Sequence, residues 1–311
     1  MRRVYPTMIT PYNADMSIDF GAVQTLVDFY HEAGCDGIFV VCQSSEMFHL
    51  TLRERTTLAA GVVKAAGNRL HVIASGHTAS APEEQAYELQ ALADTGIKAL
   101  VLVNNRMAEQ QDADVVWIER TQRLIDQLPP ELPLGLYECP SPYKRLLSDE
   151  ILHWCVETHR FSFIKDTCCD IDTIKQRIEI LKGSGIGLYN ANSSTLLASL
   201  QAGAAGFSGV MANIHPDLYV WLCHHFDQQP QQAAQLQALL SYMSLIEMNY
   251  PICAKHYLSE HGIPMTWLSR TQNAGGYGKT AQEITRQLPL IEYTARQLID
   301  QVTTKTSEVS M

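Results

Sequence analysis

The chain has 311 residues, of which 46% are hydrophobic and 18% are charged, and its formal net charge is −10. This composition is typical of a globular protein with a large core, and its acidic balance argues against a nucleic-acid partner. No apolar run approaches the length of a membrane span and the eight cysteines form no C-x-x-C pattern, so we expect a cytoplasmic protein with reduced thiols and no membrane partner.

Short apolar runs recur along the chain, and each is followed by a longer stretch with helical spacing. Eight such runs begin 20 to 35 residues apart, which leaves room for one helix and two loops between successive strands. The runs are apolar throughout, as expected for parallel strands that are covered on both faces. In chain order the predicted strands are Val4–Thr10, Gly37–Val41, Leu70–Ser75, Ala99–Val103, Leu134–Tyr137, Phe161–Lys165, Ile186–Tyr189 and Gly206–Val210.

Apolar spacing and capping residues predict helices between these strands. Asp19–Ala33 carries its apolar residues on one face and stops at Gly34. Thr51–Ala66 begins with a capping box in which Glu54 follows Thr51 by three residues. Three further helices are predicted, namely Ser80–Thr95, Ser148–Thr158 and Ser193–Ala202.

Eight βα units within about 225 residues favour a closed (β/α)8 barrel of the TIM type. A doubly wound sheet usually carries a glycine-rich phosphate loop after its first strand, and residues Thr10–Asn13 contain no glycine. We therefore predict a catalytic barrel over residues 1–225. Residues 226–311 show helical spacing without a clear strand and are predicted to form a C-terminal helical region. Within it, the glutamine-rich segment Gln228–Gln237 predicts a helix junction at Pro230.

Catalytic side chains of such a barrel lie at the carboxyl ends of its strands. Lys165 ends an apolar strand, where burial lowers the pKa of the amine and leaves a nucleophile for a carbonyl carbon. Taken alone, a lysine in this place more often reaches solvent or pairs with the adjacent Asp166. Tyr137 ends the neighbouring strand, and a phenol there can transfer a proton, although an aromatic cap on the core is the commoner role.

A serine pair follows the second predicted strand. Ser44 and Ser45 offer hydroxyl and backbone N–H donors that can bind a carboxylate, or that simply complete a turn. The eleven histidines include the adjacent pair His224 and His225, but they form no H-x-H or H-E-x-x-H cluster. We therefore expect no metal site, and imine chemistry at Lys165 would need no organic cofactor either.

Several motifs occur in a specific order between Val4 and about Arg270. They are Thr10-Pro11 with Ile18-Asp19, Cys42–Glu46 with Leu50-Thr51 and Glu54-Arg55, Leu136–Pro140, Ile164–Asp166, Gln201–Gly206 with Ala212-Asn213, and Lys255. In this order and spacing they resemble the dihydrodipicolinate synthase / N-acetylneuraminate lyase family of Schiff-base class I aldolases. The resemblance implies that Lys165 forms the Schiff base, that Tyr137 transfers protons and that Ser44 binds the carboxylate of a 2-oxo acid.

The chain departs from the family pattern around the second substrate. Gln43 replaces the first hydroxyl residue of the family pair, and Asn105 lies where a tyrosine is lent by a neighbouring subunit. Pro142 replaces the arginine of the synthases, and Ala191 replaces the glycine of the seventh strand. Dihydrodipicolinate synthesis and sialic acid cleavage are therefore not expected. The full set of substrate-binding candidates is Ser44, Ser45, Gln43, Asn105, Ala191 and Ser208.

The resemblance implies a lyase or synthase that acts on pyruvate or a related 2-oxo acid and makes or breaks a carbon–carbon bond with an unidentified aldehyde. It also implies a homo-oligomer, either a tetramer or a dimer. Two alternatives stay open. The same lysine can serve a dehydratase of 2-oxo sugar acids, or the barrel can bind a 2-oxo acid or scaffold an assembly without catalysis.

Overall fold

The computed structural model describes residues 2–246, 249–273 and 277–308. Eight parallel strands form one sheet in the order β1-β8-β7-β6-β5-β4-β3-β2. A parallel bridge between Thr7 and Phe39 joins the two ends of the sheet, so the predicted (β/α)8 barrel is confirmed. The strands are β1 (Arg3–Val4), β2 (Gly37–Val40), β3 (His71–Ala74), β4 (Ala99–Val103), β5 (Leu134–Tyr137), β6 (Phe161–Asp166), β7 (Gly187–Asn190) and β8 (Gly206–Phe207).

All eight predicted strands are present, but β1 and β8 have only two residues each. Pro6 has no N–H to donate, so regular pairing of β1 stops there, although its carbonyl still accepts a hydrogen bond from the N–H of Phe39 at 2.9 Å. β8 pairs closely with β1 through Gly206, where a Cβ would lie 1.8 Å from the carbonyl oxygen of Arg3. Only glycine fits this junction between the first and last strands.

Helices cover the outside of the barrel. Asp19, Thr51 and Ser148 cap the helices predicted after them, and the predicted capping box between Thr51 and Glu54 is confirmed. The helices are α1 (Phe20–Glu32), α2 (Leu52–Ala66), α3 (Pro82–Ala93), α4 (Asp114–Ile125), α5 (Asp149–Thr158), α6 (Ile171–Leu181), α7 (Leu196–Ala202), α8 (Pro216–His225), α9 (Pro230–Met243), α10 (Ile252–Glu260) and α11 (Tyr277–Glu308).

The chain after α8 forms the three helices α9, α10 and α11 within the described residues. Of these, α9 packs against both α8 and α11. The junction between α8 and α9 lies at residues 226–229, so the prediction of a junction over Gln228–Gln237 is wrong for the part from Pro230 to Gln237. Pro230 is the first residue of α9, a position that needs no N–H donor. The division of the chain into a barrel and a helical region at residue 225 stays a prediction. Among the described helices, none is both long and apolar enough to cross a membrane.

Aromatic rings fill the interior of the barrel between its two ends. Phe163 and Tyr189 stack with their ring centroids 4.5 Å apart, and Tyr5 contacts both rings edge-on. Phe39 packs between Phe163 and Tyr137. These rings separate a cavity at the carboxyl ends of the strands from a second cavity at their amino ends.

Candidate active site

Lys165 and Tyr137 meet at the carboxyl end of the barrel. They are register partners in the neighbouring strands β6 and β5, so their side chains leave the sheet on the same face. The Lys165 amine lies over the Tyr137 ring, 4.1 Å from the ring centroid, and both side chains are almost fully buried. Burial raises the pKa of the Tyr137 phenol well above its usual value, so the hydroxyl keeps its proton at neutral pH.

The turn after β2 brings Ser44 to the same cavity. The Ser44 hydroxyl donates to the Thr7 hydroxyl at 3.1 Å, and the Ser45 hydroxyl donates to the carbonyl of Met8 at 2.6 Å. These bonds tie the turn to the segment that follows β1. The backbone N–H groups of Gln43 and Ser44 have no acceptor among the described residues. Two adjacent N–H groups of this kind form a cradle for a carboxylate.

Five of the eight predicted site residues line one cavity of about 560 Å³, and three do not. The Asn105 amide is buried and donates to the loop carbonyls of Cys139 and Ser141 instead. The Ser45 hydroxyl is occupied by the Met8 carbonyl, and the Ser208 side chain is buried outside the cavity. The five that line the cavity are Lys165, Tyr137, Ser44, Gln43 and Ala191.

Gln43 occupies a place where the family pattern has a hydroxyl, and its amide oxygen accepts a hydrogen bond from the Cys139 thiol at 3.3 Å. The same thiol interacts with the Tyr137 hydroxyl. Burial raises the pKa of Cys139, so the thiol stays protonated. A thiol therefore contacts the phenol, and an amide contacts that thiol, where the family pattern has hydroxyl residues.

A buried ion cluster lies directly behind the two central residues. Glu138 follows Tyr137, Asp166 follows Lys165, and both carboxylates contact the guanidinium of Arg177 on α6. The Arg177–Glu138 distance is 2.9 Å, and all three side chains are at most 2% exposed. Burial raises the pKa of Glu138, an effect that Arg177 opposes. The cluster fixes the ends of β5 and β6 relative to each other.

Another buried carboxylate, that of Glu46, connects the serine turn to the C-terminal region. Glu46 accepts hydrogen bonds from the Lys255 amine at 2.9 Å and from the backbone N–H groups of Arg270 and Thr271 at 2.5 and 3.1 Å. Burial lowers the pKa of Lys255, while Glu46 opposes that shift. These contacts hold residues 269–272 at the cavity, where Thr271 and Gln272 form part of the lining.

Sequence reasoning missed several residues that line the cavity. Ser193 follows β7 closely enough to have been found by its place after a strand. Five others come from the C-terminal region, and no local pattern indicates them, because only tertiary packing brings them to the barrel mouth. They are Ser244, Tyr250, Pro251, Thr271 and Gln272.

His77 lies near the ends of the strands but contributes to packing. Its Nε2 accepts a hydrogen bond from the N–H of Val103 at 2.6 Å, and burial lowers the pKa of the imidazole to about 3. Within residues 2–246, 249–273 and 277–308, no three His, Cys, Asp or Glu side chains come together in an arrangement that would hold a metal ion.

Comparisons with known proteins agree with the motifs. The profile of the dihydrodipicolinate synthetase family matches residues 1–272. The 4-hydroxy-tetrahydrodipicolinate synthase of Shewanella sp. (strain ANA-3) is 27% identical over 216 residues, which cover 70% of this chain and 71% of that protein. The enzyme of the same name from Shewanella baltica (strain OS155 / ATCC BAA-1091) is 26% identical over the same shares of both chains.

Solved structures share the fold at low sequence identity. YagE, a prophage protein of the dihydrodipicolinic acid synthase family from E. coli K12 in complex with pyruvate, has a TM-score of 0.85 at 18% identity and covers 94% of this chain and 99% of its own. The sialic acid aldolase of Ruminococcus gnavus has a TM-score of 0.82 at 14% identity, with 94% and 98% covered. From the profile match and the curated relatives, the chain belongs to the dihydrodipicolinate synthetase family and is a carbon–carbon lyase of the class I aldolase type.

Proposed function

We propose that this protein forms a Schiff base between Lys165 and pyruvate or a related 2-oxo acid, and that it makes or breaks a carbon–carbon bond with an aldehyde. The observation that carries the proposal is the buried Lys165 amine over the Tyr137 ring at the mouth of a (β/α)8 barrel. Family membership supports the same chemistry, and so do the pyruvate complexes of YagE and of the Acinetobacter baumannii dihydrodipicolinate synthase.

The proposed reaction begins at the carboxylate of the 2-oxo acid. The Ser44 hydroxyl and the N–H groups of Gln43 and Ser44 bind this carboxylate, so that C2 faces the amine. The neutral Lys165 amine adds to C2, and Tyr137 transfers a proton as water leaves. The face of the phenol ring stabilises positive charge at the nitrogen, and the protonated imine carries such a charge.

The protonated imine is an electron sink for the second half of the reaction. In the cleavage direction, the Tyr137 oxygen, which gave up its proton as water left, takes the proton of the C4 hydroxyl while the C3–C4 electron pair moves into the imine. An aldehyde leaves, and the phenol returns the proton to C3 of the enamine, which becomes an imine again. In the synthesis direction, the Tyr137 oxygen takes a proton from C3 to form the enamine, the enamine carbon attacks the aldehyde carbon, and the phenol gives that proton to the alkoxide. Hydrolysis of the imine then releases the 2-oxo acid product and restores the Lys165 amine.

The rest of the cavity suits an aldehyde with polar substituents. Its lining beyond Lys165 offers neutral hydroxyl and amide groups, and no Asp or Glu among the described residues takes part in it. Lys144 adds one positive charge at the rim. The neutral donors and acceptors include Thr167, Asn192, Ser193, Ser244, Tyr250, Thr271 and Gln272.

Trapping of the covalent intermediate tests the proposal. The protein is incubated with pyruvate and sodium borohydride and then digested, and the mass of the peptide that contains Lys165 is measured. We expect the reduced pyruvyl adduct on that peptide. Lys165→Met should abolish it, whereas Lys144→Met, the matched control for a second lysine of the same cavity, should keep it. A folded protein without any adduct would favour a barrel that binds or scaffolds without catalysis.

Product analysis then identifies the reaction. The protein is incubated with pyruvate and a panel of hydroxylated aldehydes, and separately with 2-oxo sugar acids. The products of both incubations are identified by NMR. A new carbon–carbon bond or a released aldehyde supports the lyase proposal. Loss of water from a sugar acid, without carbon–carbon cleavage, replaces it with the dehydratase alternative.

We also propose a homo-oligomer, a tetramer or a dimer, that works in the cytoplasm. Large apolar side chains that are exposed on α9, on α11 and between α9 and α10 support an assembly, because an interface would remove them from water. Light scattering coupled to size exclusion would give the molar mass, and a monomer would contradict the assembly. The four side chains are 60 to 72% exposed in the single chain, and they are Tyr242, Leu245, Leu290 and Tyr293.

A further inference from the structure

A second cavity, of about 450 Å³, opens at the amino-terminal end of the barrel. We call it the amino-terminal cavity. It lies where strands begin: Arg3 starts β1, His71 starts β3 and Lys98 precedes β4. The stacked rings of Tyr189 and Phe163 line its inner side, and these rings separate it from the cavity that contains Lys165.

The lining of the amino-terminal cavity is basic, although the whole chain has a net charge of −10. Arg2, Arg3, His71 and Lys98 belong to it, and no Asp or Glu among the described residues does. None of these four forms an ion pair within the part of the chain that the structure describes. The Asp36 carboxylate raises the pKa of Arg3, but it accepts a hydrogen bond from the N–H of Val4 at 2.9 Å and does not line the cavity.

The positive groups converge rather than point apart. Partial desolvation and the charges of Arg3 and Lys98 lower the pKa of His71, so both charges act at the same imidazole. The Tyr5 hydroxyl lies 3.3 Å from Nδ1 of His71 and also hydrogen-bonds Arg3. Burial raises the pKa of Tyr5 and of Tyr189, so both phenols keep their protons and can donate.

We propose that the amino-terminal cavity binds a small oxyanion of the phosphate type. Like charges that share a cavity and form no ion pair among the described residues repel one another, and a bound dianion offsets that repulsion. Guanidinium, ammonium and phenol groups are the donors that phosphate oxygens accept. The ligand is either free phosphate or the phosphate group of a small monoester, which present the same charge and oxygens.

Binding is measured on the full chain by calorimetry with inorganic phosphate, with sodium chloride added to hold the ionic strength constant. We expect saturable binding of one phosphate per chain. Arg3→Gln and Lys98→Gln should each weaken it at least about tenfold. The matched control is Lys64→Gln on α2, because Lys64 is exposed and forms no ion pair within the described residues. That variant should bind like the parent protein. Methyl phosphate as a second probe distinguishes a monoester from free phosphate.

A second measurement does not depend on variants. NMR titration of the parent protein should show that phosphate raises the pKa of His71, because the anion offsets the charges of Arg3 and Lys98. Phosphate should leave the pyruvate adduct at Lys165 unchanged, so the two cavities are tested separately. Non-saturable binding, an equal loss in Lys64→Gln, an unshifted His71, or competition between phosphate and pyruvate would each overturn the proposal.

Discussion

Replacement of Arg177 by methionine tests whether the buried ion cluster holds the catalytic strands together. Methionine keeps much of the length of the side chain but removes the positive charge between Glu138 and Asp166. Both carboxylates are fully buried, and each still accepts backbone hydrogen bonds, Glu138 from Leu147 and Thr167 at 2.7 and 2.8 Å, and Asp166 from Cys168 at 2.9 Å. The variant therefore leaves two buried negative charges that backbone dipoles offset only in part.

The expected loss of unfolding free energy is about 3 to 5 kcal/mol at pH 7, which is the usual cost of removing one partner from a buried ion pair. The loss should shrink as the pH falls. Burial already raises the folded-state pKa of Glu138, and removal of Arg177 takes away the main opposing influence. A carboxyl group with a raised folded-state pKa costs stability above that pKa, and this cost is relieved as the pH falls through it.

Urea unfolding followed by circular dichroism at pH 7 and at pH 5.5 gives both values. Lys182→Met is the matched control, because it removes a positive charge just after the same helix from an exposed pair with Glu179 at 3.1 Å. That change should cost less than about 1 kcal/mol. The rate of adduct formation at Lys165 is measured under conditions in which the variant is folded. It should fall, because Arg177 no longer links Glu138, which follows β5, to Asp166 at the end of β6.

Two results would refute this reasoning. A loss below about 1 kcal/mol at pH 7, equal to that of the Lys182 control, would mean that the backbone hydrogen bonds alone satisfy Glu138 and Asp166. A large loss that does not shrink at pH 5.5 would mean that Arg177 acts through packing and through its bond to the Leu147 carbonyl rather than through charge.

Three further outcomes follow from the site and the barrel. Tyr137→Phe should slow formation of the pyruvate adduct by about 10²- to 10⁴-fold without changing the fold, as measured by borohydride trapping over time, and an unchanged rate would remove the phenol from the mechanism. Glu46→Ala should cost about 3 to 5 kcal/mol in urea unfolding, because it leaves the buried Lys255 charge without its carboxylate. Gly206→Ala should cost about 3 kcal/mol or more in the same assay, because its Cβ would meet the Arg3 carbonyl, and a neutral effect would contradict the close pairing of β1 and β8.

The sequence by itself determined the fold, because each strand and helix has a local physical cause. Apolar runs such as Ala99–Val103 can only be covered on both faces, and residues such as Thr51 and Ser148 satisfy the first N–H groups of their helices. Local signals also placed Lys165 and Tyr137 at the carboxyl ends of neighbouring strands, and the family resemblance then implied their catalytic roles.

The tertiary structure decided which candidates share one cavity and what surrounds them. Asn105 follows a strand as Lys165 does, yet its amide is used by loop carbonyls. Gln272 lies more than a hundred residues from Lys165 and still lines its cavity, because the buried Glu46 holds that segment in place. Such contacts depend on the closure of the barrel, which brings distant segments together, and hydrophobic periodicity within a single segment carries no information about them.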